Sequence, residues 1–262
     1  MDTDNIITTA HAMADAARGA ILPYFRANDL AADNKAGHGF DPVTEADRHA
    51  ERMMRDILAK MRPKDGILGE EYGAKPGQSG LTWVLDPIDG TRGFISGTPT
   101  WGVLIALSDD NGPVYGLIDQ PYIGERFEGG LGRAEMTGPM GPRAMKARGN
   151  RPLDQAILFS TFPKLGSDVE RTAFNAVSDR VRLTRFGMDC YAYAMLAAGQ
   201  IDLVIEAGLG SHDIQAPIAV IQAAGGIVTN WQGGPAHAGG RAVAAAGKQQ
   251  HEAALEILSR AP

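Results

Sequence analysis

Two aspartates three residues apart follow a short apolar run in Trp83-Val84-Leu85-Asp86-Pro87-Ile88-Asp89-Gly90-Thr91. Carboxylates and backbone carbonyls are the hard oxygen donors that Mg²⁺ takes. Two such ions a few ångströms apart can clamp the attacking and leaving oxygens of a displacement. Pro87 stiffens the turn, and Gly90 lets the backbone approach a ligand closely. If a helix begins after Asp89, the amides of Gly90 and Thr91 point outward, and a helix N-terminus is a ready phosphate site. Asp, Pro and Gly are also common turn formers, so this segment taken alone reads more readily as a plain turn. It has two companions: Gly69-Glu70-Glu71 upstream, and His212-Asp213 downstream at a second expected strand-to-helix junction. Taken singly, each companion reads as a surface acid or a helix cap.

These groups need elements to carry them. Ile6, Ala10, Met13, Ala17, Ile21 and Tyr24 recur at helical spacing and predict a first amphipathic helix. A polar, glycine-containing stretch from Asn28 to Phe40 reads as a mobile loop. In Asp41-Pro42-Val43-Thr44-Glu45-Ala46-Asp47, Thr44 is placed to cap a second helix, with Asp47 three residues on. Met53, Ile57 and Met61 extend that helix to Pro63. Gly66 to Gly80 reads as a loop. Strands are expected at Thr82–Leu85 and Trp101–Leu107, then around Val114 to Ile118 and Arg126 to Met136. A Gly-, Pro- and Arg-rich stretch from Gly138 to Pro152 reads as a boundary, dividing the chain into 1–140 and 141–262. Beyond it, strands at Ala156–Thr161, Val181–Arg185, Ile201–Glu206 and Gly226–Asn230 alternate with helices at Cys190–Ala198, Ile214–Ala224 and Gln249–Arg260. The first half therefore reads as α+β and the second as α/β.

The composition narrows the function. The chain has 262 residues, 44% of them hydrophobic and 21% charged, which excludes disorder as its main state. A net charge of −6 disfavours nucleic acid as a partner and leaves carboxylates available for cations. No run approaches the roughly 20 apolar residues of a membrane span, so no membrane partner is expected. Met1 to Phe25 carries Asp2, Asp4 and Asp15 where a signal peptide would need a basic start and an apolar block. Cys190 is the single cysteine, so no intrachain disulfide forms, which fits a reducing, cytoplasmic setting. Its expected role is packing. Trp83 and Trp101 are expected in the core.

The ordered set Gly69-Glu70-Glu71, Asp86-Pro87-Ile88-Asp89-Gly90-Thr91 and Asp213 before an alanine-rich helix and Gly225-Gly226 resembles the inositol monophosphatase family. The resemblance runs from Asp41 to Gly226. It implies a layered αβαβα fold, a homodimer, and a lithium-sensitive phosphomonoesterase using two or three Mg²⁺ ions on a small-molecule phosphate monoester. Glu70, Asp86, Asp89, Asp213 and the Ile88 carbonyl match the metal ligands. Most of these fall in residues 1–140, and Asp213 lies in 141–262. Glu70 and Thr91 match the pair that orients the attacking water, and Asp47 matches a residue that supports Thr91 by a hydrogen bond. The Gly90 and Thr91 amides match the phosphate site. The loop around Lys35 matches a mobile loop near a weaker metal site. The chemistry agrees, since a phosphate monoester dianion repels a nucleophile until its charge is neutralised. No covalent nucleophile is required.

The second half is expected to select the substrate. By the same resemblance Asp89, Gly187, Asp189, Glu206 and Asp213 face it, with Arg185 as a further candidate for the ligand or for a subunit interface. At the position of Asp189 the inositol phosphatases tend to carry a small neutral residue. Two acids, Asp189 and Glu206, suit a cationic group. Gly187-Met188-Asp189-Cys190-Tyr191-Ala192-Tyr193 and Thr91-Arg92-Gly93-Phe94-Ile95-Ser96-Gly97 resemble the histidinol-phosphate phosphatase branch. The implied reaction is hydrolysis of L-histidinol phosphate to L-histidinol and phosphate, in histidine biosynthesis. Alternatives are an inositol monophosphatase or broad sugar-phosphate phosphatase, a nucleotide 3′-phosphatase, and a binding protein without catalysis. Asp189 also reads as a helix N-cap, and His212 as a supporting or structural residue.

Overall fold

A computed structural model of the chain describes residues 2–27, 32–34 and 42–261. The loop around Lys35 and the Thr44 side chain, expected to cap the second helix, lie outside what is described.

The first half supplies α1 (Thr3–Ile21), β1 (Ala32–Asn34), β2 (Pro42–Thr44), α2 (Glu45–Met61), β3 (Gly66–Gly69), β4 (Gly73–Lys75), β5 (Thr82–Asp89), α3 (Thr91–Ile95), β6 (Gly102–Asp109), β7 (Gly112–Gln120), β8 (Glu125–Gly130), β9 (Arg133–Thr137) and β10 (Arg143–Ala144). The second supplies β11 (Ile157–Ser160), α4 (Asp168–Ser178), β12 (Leu183–Phe186), α5 (Tyr191–Ala197), β13 (Leu203–Leu209), α6 (Ser211–Ala223), β14 (Ile227–Thr229), β15 (Gly240–Ala245) and α7 (Lys248–Leu258).

Among the described residues the larger sheet runs β10-β9-β8-β7-β6-β5-β3-β4, antiparallel throughout except for β3 beside β5. The smaller sheet runs β12-β11-β13-β15-β14. In it β11 is parallel to β12 and β13, whereas β15 is antiparallel to both its neighbours.

Alternation along the strands builds the layers. Trp83, Leu85, Val103, Ile105 and Leu107 of the larger sheet face outward, onto Ile6, Ala10, Met13 and Ile21 of α1 and Ala46, Ala50, Met54 and Leu58 of α2. Val84, Leu104 and Ala106 face the other way, onto the middle helices α5 and α6. Val204, Ala242 and Ala244 of the smaller sheet close the same middle layer. Leu203, Ile205, Val243 and Ala245 point outward to Phe174 and Val177 of α4 and Ala254 and Leu258 of α7. The order is helix, sheet, helix, sheet, helix, the αβαβα arrangement expected. The middle helix α6 lies very close to the larger sheet: a Cβ at Gly116 of β7 would collide with the Ala216 carbonyl.

Ion pairs pin α1 across the larger sheet. Asp119 is fully buried between Arg18 and Arg126, each 2.8 Å from Oδ1. Glu128 receives the His11 ring at 3.1 Å, the Tyr115 hydroxyl at 2.7 Å and Arg133 at 3.0 Å. Burial alone would raise the Glu128 pKa, but these hydrogen bonds and the His11 and Arg133 charges hold it down at about 2.

Five elements differ from expectation, the first being β1, which lies in the Asn28–Phe40 stretch read as a loop. The Gly66–Gly80 stretch holds β3 and β4, whose glycines hid any alternation. Helix α4 was not anticipated; it starts at a capping box formed by Ser167 and Glu170. Neither was β15, whose Arg241-Ala242-Val243-Ala244-Ala245 has no polar–apolar pattern because both faces are covered. Trp83 and Trp101 are fully buried, as expected.

Candidate active site

The acidic motif depends on an irregularity in β5. In a regular strand, residues three apart point to opposite faces. Between Asp86 and Asp89 the register against β6 shifts: Asp86 stands opposite Leu104, and Asp89 opposite Gly102. Three steps on β5 thus match two on β6, the signature of a β-bulge. Pro87 sits in the irregular stretch, where a missing N–H costs the ladder nothing. The parity changes there. Ile88 packs into the outer core with Leu85, and Asp89 joins Asp86 at the cavity. Gly90 then turns the chain into α3 with φ +85°. A Cβ on it would stand 2.7 Å from that of Asp189, so glycine is required twice over.

Glu70 follows β3 on a turn held by the fully buried Glu51 of α2. That carboxylate accepts from the Glu71 amide at 2.7 Å and the Tyr72 amide at 3.3 Å, and pairs with Arg55 at 2.7 Å. Asp213 lies in the first turn of α6, where Oδ2 accepts from the Gly210 amide at 2.7 Å. One carboxylate oxygen from each of Asp86, Asp89 and Asp213 lies within 4.8 Å of the others. The same holds for Asp47, Glu70 and Glu71, and for Glu70, Asp86 and a ring nitrogen of His212. His212 Nε2 is also 3.4 Å from Asp213 Oδ1. The expected metal ligands and Asp47 thus converge from β5, β3, α2 and α6.

The electrostatics of the cluster ask for a cation. Burial, then the charges of Glu70, Asp89, Asp213 and Asp47, push Asp86 well above the ordinary carboxylate range. Burial and the charges of Asp213 and Asp189 do the same to Asp89. Burial raises Asp213, partly offset by the charge of His212. Asp86 Oδ1 is buried and has no hydrogen-bond partner among the described residues. An all-oxygen donor set with an unused buried lone pair fits a hard divalent cation.

The Thr91 hydroxyl donates to the Ile88 carbonyl at 3.1 Å. It has one proton to give, so the hydrogen bond expected from Thr91 to Asp47 is not the one formed. Both residues stay by the cluster: Asp47 through its approach to Glu70, and Thr91 on the cavity wall.

The cavity holds about 410 Å³ between the acidic cluster and the ends of β11 and β13. Asp189 and Glu206 also line it, Asp189 packed against Gly90. Asp189 has φ +44°, and its Oδ2 accepts from the Thr100 hydroxyl at 2.8 Å. It caps no helix: Cys190 stands at the start of α5, with no side-chain cap. Burial raises Asp189, with Thr100 and Arg92 partly offsetting. Glu206 Oε1 accepts from the Thr161 amide at 2.6 Å and its hydroxyl at 2.9 Å. Burial nevertheless pushes the Glu206 pKa up to about 8. Cys190 is buried, and burial drives its thiol far above the usual range. Its amide donates to Asp89 Oδ2 at 2.7 Å and fixes that carboxylate.

Two expected substrate residues are not on the cavity wall. Gly187 is exposed, and its amide donates to the carbonyls of Ser160 and Thr161. Arg185 is exposed on the edge strand β12, with its guanidinium 5.8 Å from the Phe159 ring. Sequence reasoning missed Thr161, Tyr193 and the Arg92–Phe162 pair, stacked at 4.8 Å, on the cavity wall, and Thr100 behind Asp189. Arg92 stood inside a quoted motif and carried a signal. Thr100 and Phe162 acquire their roles through contacts across the two halves, and Thr161 through the pairing of β11 with β13.

The sequence pattern of the inositol monophosphatase family matches residues 2–262. The chain is 41% identical over 235 residues to the bifunctional phosphatase IMPL2, chloroplastic, of Arabidopsis thaliana, covering 88% of this chain and 66% of that protein. It is 35% identical over 241 residues to the histidinol-phosphatase of Mycobacterium tuberculosis, covering 91% and 92%. A solved structure of an inositol monophosphatase from Zymomonas mobilis superposes with a TM-score of 0.87 at 40% identity, covering 99% of both chains.

Proposed function

The chain belongs to the inositol monophosphatase family and is a phosphoric monoester hydrolase, and from that premise we propose that it hydrolyses L-histidinol phosphate to L-histidinol and phosphate with Mg²⁺. The observation that carries the substrate is that two further acids, Asp189 and Glu206, line the same cavity as the acidic cluster. A polyol offers these acids only hydroxyls. Histidinol phosphate offers an ammonium and an imidazole, and charge-assisted hydrogen bonds to carboxylates are about twice as strong as neutral ones. The similarity to a histidinol-phosphatase supports the same reading.

Glu70, Asp86, Asp89, Asp213 and the Ile88 carbonyl would hold two or three ions. Bound there, Mg²⁺ would neutralise phosphate charge and lower the pKa of the attacking water. The chain's own groups do the rest. Glu70 and Thr91 orient the water, with Asp47 beside Glu70 in the cluster. The Gly90 and Thr91 amides take phosphate oxygens. Cys190 N–H holds Asp89 in register with Asp86 and Asp213. Lithium sensitivity, a homodimer and a reducing cytoplasmic setting belong to the same reading. The described residues contain no helix long and apolar enough to cross a membrane.

The test is phosphate release with Mg²⁺ from histidinol phosphate and inositol 1-phosphate over matched concentrations. A clear preference for histidinol phosphate is expected. Equal rates, or a preference for inositol phosphate, would move the assignment to an inositol or broad sugar-phosphate phosphatase, a second reading favoured by the likeness to the Zymomonas mobilis enzyme.

A further inference from the structure

His212 is the one imidazole on the cavity wall among the described residues. It stands in the first turn of α6, next to Asp213. A ring nitrogen of His212, a carboxylate oxygen of Glu70 and one of Asp86 all lie within 4.8 Å of one another. The three arrive from α6, from the turn after β3 and from β5. Asp213 Oδ1 meets the ring only at 3.4 Å, longer than an ordinary hydrogen bond. Its other oxygen is taken by the Gly210 amide at 2.7 Å. Asp86 is 1% exposed, and its Oδ1 is the buried acceptor without a donor among the described residues. Such an atom beside an imidazole and a second acid makes a position that a cation completes.

The backbone is shaped around that ring. Gly210 has φ −77° and ψ 169°, an extended conformation open to any residue, so no turn calls for glycine there. A Cβ at this position would stand 2.6 Å from His212 Cε1 and 2.8 Å from Nε2, and its three nearest atoms all belong to the imidazole. The glycine therefore keeps room for the ring over the start of α6. Close packing, more than hydrogen bonding, holds the imidazole at the cluster.

We propose that His212 is a metal ligand: with Glu70 and Asp86 it makes a mixed nitrogen–oxygen site that takes a first-row transition dication in preference to Mg²⁺. Mg²⁺ takes oxygen donors and gains little from imidazole. Nitrogen donors favour the first-row transition ions. Asp86, Asp89 and Asp213 form a separate all-oxygen set. The cluster thus offers two sets of unlike donor character that share Asp86. This rests on the reading that the acidic cluster holds cations, and it adds which ion each donor set selects. It does not depend on which phosphate ester is the substrate.

Mn²⁺ is the probe, because it accepts both carboxylate and imidazole and its electron spin reports a bonded nitrogen. The full chain is titrated with Mn²⁺ alone to saturation, and pulsed electron paramagnetic resonance reads the nitrogen coupling. Mg²⁺ is then added, and the signal of free Mn²⁺ gives the concentration that displaces half of the bound ion. The wild type is expected to show imidazole coupling. His212→Gln, which offers a carbonyl oxygen in place of the ring nitrogen, is expected to lose it and to release Mn²⁺ at about tenfold less Mg²⁺ or lower still. Gly210→Ala crowds the ring without removing it and is expected to weaken the coupling, an independent arm should His212→Gln fold poorly. Bound Mn²⁺ without nitrogen coupling in the wild type overturns this inference alone. So does coupling that either variant keeps in full, or an unchanged displacement point in His212→Gln. A wild type that retains no Mn²⁺ overturns the cation reading and this inference together.

Discussion

Replacing Glu206 with glutamine should change how the stability of the protein depends on pH. The group is 5% exposed, and burial lifts its folded-state pKa to about 8, against an ordinary value of 4.5. A raised folded pKa means that the native state holds a proton which the unfolded state has released. The associated stability is fully present below pH 4.5 and is lost as pH rises toward and through 8. Between pH 5.5 and 8.5 the loss from this one group amounts to about 3 kcal/mol, at about 1.4 kcal/mol per unit. Glutamine keeps an acceptor for Thr161 and cannot ionise. Urea unfolding in the presence of a chelator, at both pH values, isolates the effect. The difference between Glu206→Gln and wild type should move by about 3 kcal/mol in favour of the variant at the higher pH. Parallel pH dependences, with the difference constant to roughly 0.5 kcal/mol, would refute the claim that Glu206 is protonated in the empty cavity. Binding of a cationic ester near neutral pH should then release a proton, seen as a buffer-dependent heat in calorimetry.

Asp86→Asn should lower turnover with Mg²⁺ by at least about a hundredfold, as removal of a charged metal ligand demands, while unfolding without metal becomes no easier; near-normal turnover would sink the site assignment. Glu51→Ala should destabilise by roughly 3–5 kcal/mol, because it strands Arg55 at a buried pair, and should reduce activity through the turn bearing Glu70; chemical denaturation and phosphate release check the two effects. Glu128, held at about 2, lends stability that is present above pH 4.5 and lost as pH falls toward 2. Glu128→Gln should therefore flatten the acid limb of the stability curve by up to about 3 kcal/mol, and an unchanged acid limb would count against it.

The acidic site was legible because its chemistry needs particular residue types in order: Glu70, then Asp86 and Asp89, then Asp213. Their convergence was not legible, since it depends on a bulge that no local pattern announces and on Glu51, one of several acids along α2. Helices α1 and α2 showed themselves by apolar spacing. Strand β15 did not, because a strand covered on both sides by other layers has no alternation to show. Arg185 and Gly187 were placed at the substrate by motif, but an edge strand and an exposed turn hold them off the cavity wall. Thr161 and Thr100 lie far in sequence from Glu206 and Asp189, so their hydrogen bonds come only from the fold.

The bulge in β5 makes the site a matter of counting. Asp89 reaches the cavity because one surplus residue sits between it and Asp86. Exchanging the side chains of Pro87 or Ile88 alters packing but preserves that count. Ironing the bulge out with the count unchanged would turn Asp89 into the apolar layer shared with α1 and α2, whereas deleting the surplus residue would leave the two carboxylates two apart on one face of an ordinary pleat. What this segment must keep is therefore the phase of the ladder on either side of the motif, behaving like a reading frame written into the backbone.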